Sequence, residues 1–77
     1  MNDVQEQLDT LLNYWIKHNN EHEEEFREWA DKAAALSGDI AQQLREAATK
    51  MAAASSNLIE AKQVLTKSKE GHQDVSS

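Results

Sequence analysis

The chain has 77 residues, a formal charge of −6, two glycines and neither cysteine nor proline. So short a chain makes one domain at most and buries little surface when folded alone. Without cysteine, neither a disulfide nor a thiolate metal site can compensate, so self-association or a bound ion is the expected remedy. An acidic surface also excludes partners that demand a cationic footprint, namely nucleic acid and anionic membranes.

The charge is uneven: residues 1–36 hold nine acids against three bases, and residues 37–77 hold five of each. The opening M-N-D-V-Q-E-Q-L-D has neither a basic region nor an apolar run, and no stretch approaches the length of a membrane span. A cytoplasmic location is the expectation. Ala, Glu, Gln, Lys and Leu dominate, which describes an all-α fold.

Helix 1 is expected over about 3–36. Asp3 followed by Glu6 suits a capping box, and Asp9 adds charge near the positive end of the dipole. From Leu8, the positions Leu12, Trp15, Asn19, His22, Phe26, Trp29, Ala33 and Leu36 follow in alternating steps of four and three, a heptad seam interrupted in its apolarity only by Asn19 and His22. A turn is expected over 37–39, with Gly38 as a left-handed cap and Asp39, with Gln42, opening helix 2 over about 40–70. So short a connection makes the helices antiparallel. The expected seam of helix 2 is Ile40, Leu44, Ala47, Met51, Ala54, Leu58, Ala61 and Leu65, whose alanines complement the bulk of helix 1. Gly71 ends this hairpin domain (1–71), and residues 72–77 form a disordered tail. Each helix would be about 50 Å long, and one contact line would leave Trp15, Phe26 and Trp29 partly wet. A homodimer forming a four-helix bundle would cover them.

Chemistry concentrates in Trp15–Trp29. Trp15, His22 and Trp29 are seven apart and share one line of the helix, with His18 four before His22 and Glu25 three after it. A His pair at i and i+4 is a recurrent holder of Zn²⁺, Ni²⁺ or Co²⁺, because both imidazoles can aim at a point above the intervening turn. Glu25 can add an oxygen, and Glu21 only from the edge. Helix 2 offers no carboxylate or imidazole opposite, so a second hairpin or solvent would complete the coordination. The competing expectation is structural: Asn19 and His22 form a polar layer that fixes register, His18 points outward, and the hairpin is a module that docks a protein partner. Trp15, Phe26 and Trp29 are core anchors on either view, with Asn19 or Glu25 as acceptors for the indole N–H groups. No nucleophile elbow, phosphate loop or H-E-x-x-H arrangement occurs, and His22-x-x-Glu25 reverses the order used in di-metal carboxylate bundles, so no enzymatic activity is expected.

The pattern W-I-x-H-N-x-x-H-x-x-E-F-x-x-W-A, from Trp15 to Ala30, resembles that of small, largely uncharacterised helical proteins and appended domains of anaerobic bacteria and archaea, some of them linked to transition-metal handling. The resemblance implies that His18, Asn19, His22, Glu25, Phe26 and the two tryptophans form one unit. It carries no established activity.

Overall fold

The computed structural model describes the backbone of residues 3–74 and the side chains of residues 3–68. Two helices, α1 (Asp3–Ala34) and α2 (Gly38–Asp74), pack against each other as a hairpin, with no strand among the described residues. Asp3 and Glu6 stand in the first turn of α1, Lys32 in its last and Asp39 in the first turn of α2, each at the dipole end that favours its charge.

The connection differs from expectation. The N–H groups of Leu36 and Ser37 both donate to the Ala33 carbonyl at 2.8 Å, closing α1 two residues early. Ser37 caps α2: its Oγ accepts from the Ile40 N–H at 3.3 Å and its carbonyl from the Ala41 N–H at 3.1 Å. The turn therefore occupies 35–37 rather than 37–39, and Gly38 is already helical, without positive φ. A serine supplies the cap that the glycine and Asp39 were expected to share. At the other end α2 runs through Gly71 to Asp74. Glycine inside a helix costs only about 1 kcal/mol relative to alanine and keeps its N–H, so it need not end one. The tail expected to be disordered from residue 72 is thus helical to Asp74, and its remainder lies outside the described residues.

The contact line is the second correction. Leu12, Asn19, Phe26 and Ala33 face α2 as expected, but Ile16, Glu23 and Ala30 come between them, while Trp15 and Trp29 are exposed and His22 is half-buried at the edge of the line. On α2 the same substitution occurs: Leu44, Met51, Leu58 and Leu65 alternate with Ala41, Ala48, Ser55 and Lys62 instead of Ile40, Ala47, Ala54 and Ala61. The physical reason lies in Ala30, Ala41 and Ala48, which are 0% exposed. Small residues at those positions let the helices approach closely, and that approach leaves no space for an indole between them. Trp15 and Trp29 are instead 39% and 58% exposed, and Leu36 is 81% exposed.

Asp31 Oδ1 accepts from Arg45 Nη2 at 3.1 Å, an exposed pair that marks the level of one helix against the other. In that register Trp15 stands level with Ala61, His22 with Ala54, Trp29 with Ala47 and Leu36 with Ile40. Ser55 lies in the contact line, 4% exposed, with no hydrogen-bond partner for its Oγ. Ser55→Ala is therefore expected to leave the unfolding free energy unchanged or raise it by up to about 1 kcal/mol, since a buried hydroxyl without a partner only costs desolvation. Urea melts read the difference; a clear loss of stability would mean that the hydroxyl is satisfied after all.

Candidate metal centre

His18 and His22 lie on successive turns of α1, and their Nε2 atoms are 3.0 Å apart, with the ring planes at 88°. Two nitrogens at that distance cannot both carry hydrogen; one donates and the other presents a lone pair. Glu25 Oε1 is 3.3 Å from His22 Nδ1, the nitrogen on the far side of the ring. Its negative charge favours a proton on Nδ1, which leaves the His22 Nε2 lone pair free and makes His18 Nε2–H the donor.

The spacing is also that of two ligands on one ion. With metal–nitrogen bonds of about 2.0–2.1 Å, donors at a right angle are about 2.9 Å apart and tetrahedral donors about 3.3 Å. The observed 3.0 Å lies within this interval. His22 already has the tautomer that a metal requires, whereas His18 must surrender its Nε2 proton. Glu25, expected as a third ligand, sits instead behind His22, where a carboxylate orients a ligating imidazole and raises its basicity. Among the described residues, no three His, Asp or Glu side chains converge to hold an ion. The single hairpin thus offers two donors and an orienting carboxylate.

The rings form a ladder along α1. Tyr14 stacks on His18 at 5.3 Å between centroids, and His22 on Phe26 at 6.0 Å. Phe26 is half-buried in the contact line and Tyr14 is exposed, so the ladder climbs from the hairpin interior to its surface. The i, i+4 step from Tyr14 to His18 is the sequence signal of this stack. Asn19 and His22 are both half-buried, Asn19 in the contact line with α2 and His22 at its edge. No hydrogen bond among the described residues joins either indole to Asn19 or Glu25. Trp29 instead carries Lys32 Nζ at 4.4 Å from a ring centroid.

A shallow surface depression beside His22 is lined by Glu21, Glu24, Glu25 and Glu28. Glu28 pairs with Lys32 at 3.7 Å and Glu23 with Arg27 at 3.1 Å. Both are helix neighbours four residues apart, Glu28–Lys32 exposed and Glu23 half-buried at the contact line, and such pairs are worth a few tenths of a kcal/mol. Their remaining charge surrounds the imidazoles with negative potential, which raises the local cation concentration without itself ligating. The side chain of His72 lies outside the described residues.

No helix among the described residues is long and apolar enough to cross a membrane. A family model described as "Domain of unknown function (DUF8180)" matches residues 8–65. An "Uncharacterized protein" of Archaeoglobus fulgidus is 44% identical over 45 residues, which span 58% of this chain and 73% of that protein. No solved structure matches.

Proposed function

We propose, from the premise that the chain belongs to the DUF8180 family, that it is a small non-enzymatic protein that binds a divalent transition metal, Zn²⁺, Ni²⁺ or Co²⁺, for storage, buffering or delivery. The observation that carries the reading is the convergence of His18 Nε2 and His22 Nε2 to 3.0 Å, with Glu25 behind His22. Imidazole suits these borderline ions, and an acidic surround with no cysteine disfavours thiophilic Cu⁺. Only exchangeable side chains hold the ion, which suits reversible loading better than a permanent structural site.

The test is calorimetric titration of metal-stripped protein with Co²⁺ and Zn²⁺. Saturable binding is expected, abolished in His22→Ala and in His18→Ala. Glu25→Gln is expected to weaken it by about 10–100-fold, the usual effect of losing a carboxylate behind a ligating histidine. Unchanged binding in Glu25→Gln would remove Glu25 from the site, and absence of saturable binding in the parent protein would end the metal reading. A second reading, a module that accepts a partner's helix, draws on the exposure of Trp15, Trp29 and Leu36.

A further inference from the structure

The row that α2 leaves uncovered on α1 is itself a complete heptad seam. Leu8, Leu11, Trp15, His18, His22 and Glu25 follow in steps of three and four, and Trp29, Lys32 and Leu36 continue the rhythm. Beside it, on the same side of the hairpin, runs the outer row of α2, small at Ala47, Ala54 and Ala61 and closed by Ile40. The two contact directions on α1 are roughly 90° apart at 100° per residue, the corner angle of a four-helix bundle. α1 is built to touch two neighbours, and the hairpin supplies one.

The geometry points to a second copy of this chain as the other neighbour, related by a two-fold axis along the helices, so that two His18–His22 pairs are brought to one shared metal site. Such an axis preserves level, so the outer row of α1 meets the outer row of the partner's α2 in the register that the Asp31–Arg45 pair marks. Each tryptophan then lies over an alanine, Trp15 over Ala61 and Trp29 over Ala47, while Leu36 meets Ile40. Large against small is the packing that fills a bundle layer without strain.

At the other positions of the same seam Leu11 comes beside Val64 and Glu25 beside Lys50, so apolar meets apolar and charge meets opposite charge, and His18 comes beside Asn57. Area agrees too: the hairpin is a slab of 59 × 21 × 12 Å, one helix thick. Its broad face exceeds the roughly 800 Å² per partner of a stable interface. The central layer of that face holds His22 and, level with it, Ala54, so the smallest side chains stand where the two His22 rings approach each other. The inference rests on the metal reading above and supplies what it lacks, since the second copy brings a second His18–His22 pair, and two pairs supply the four donors that close the coordination of a tetrahedral ion.

The experiment is Co²⁺ titration followed by visible absorption, with sedimentation equilibrium on the same samples. The parent protein and the variants His22→Ala and Ala47→Gln/Ala61→Gln are compared. Glutamine is neutral and compatible with a helix, but too bulky to lie beneath a tryptophan. Ala61 is exposed and Ala47 is half-buried at the edge of the hairpin contact line, so circular dichroism and urea melts at concentrations low enough to dissociate dimers check that the double variant keeps its hairpin. The expected result is a dimer holding one Co²⁺ per two chains, with the intense absorption of a tetrahedral site. The double variant should be monomeric and bind at least 100-fold more weakly, and His22→Ala should dimerise without the tetrahedral spectrum. A parent that binds one ion per chain as a monomer, or a double variant that remains a dimer with full affinity, overturns the shared site while the metal reading stands. A parent that binds no Co²⁺ overturns the metal reading itself.

Discussion

Leu12→Ala is expected to leave most of the chain unfolded at room temperature. Leu12 is 2% exposed and sits in the contact line between α1 and α2. Truncating a buried leucine costs about 2–5 kcal/mol. A core this small rarely supplies more than about 3–5 kcal/mol in total, so one such loss consumes the margin. Trp29→Ala removes more carbon, but from a ring that is 58% exposed. Its effect on the hairpin should be a small fraction of that of Leu12→Ala. Far-UV circular dichroism with urea, at protein concentrations low enough to dissociate dimers, separates the two. Equal destabilisation there would show that the indole is enclosed within one chain and that the contact line has been misplaced.

The contrast between Leu12 and Trp29 also marks how far the sequence can be read. Two long helices, their antiparallel course and the residues shared by both seams follow from periodicity, because a pattern sustained over four heptads leaves little freedom. What periodicity does not decide is which of two adjacent stripes faces the neighbouring helix. On α1 the apolar arc is wide enough for both, and the tryptophans draw attention to the outer one because bulk suggests burial. The decision belongs to helix separation, and Ala30, Ala41 and Ala48, all fully buried, show where small side chains let the helices close. That is a property of the pair of helices and is not visible in either alone.

The candidate site is legible to a similar depth. The i, i+4 spacing of His18 and His22 fixes their proximity, and the rotamers of the two rings bring their Nε2 atoms to 3.0 Å. The role of Glu25 does not follow. At i+3 from His22 it can reach either side of the ring, and only the rotamers decide that it lies 3.3 Å from Nδ1, opposite the pair. The turn failed for a comparable reason. Ser37 and Gly38 both carry helix-boundary signals, and a serine cap with a helical glycine competes closely with a glycine cap before Asp39.

The second large effect concerns metal and acid together. At a free Zn²⁺ concentration 100 times the dissociation constant, binding to the folded state alone stabilises it by about 2.7 kcal/mol. For a domain of this size, each 1 kcal/mol moves the melting temperature by about 4–8 °C, so a rise of roughly 10–20 °C is expected, reversed by a chelator. The sign with pH follows from the donor. Only neutral imidazole ligates, and imidazole ordinarily takes up a proton near pH 6.5. The metal-dependent rise is therefore full above that range and lost as the pH falls through it. Thermal melts at pH 7.5 and 5.0, with and without Zn²⁺, give the four temperatures needed. A Zn²⁺-dependent rise that survives at pH 5.0 would assign the ion to carboxylates of the acidic surround, Glu21, Glu24 and Glu28, rather than to His18 and His22. Loss of the rise in His22→Ala at pH 7.5 locates it at the imidazoles, because that variant leaves every one of those carboxylates in place.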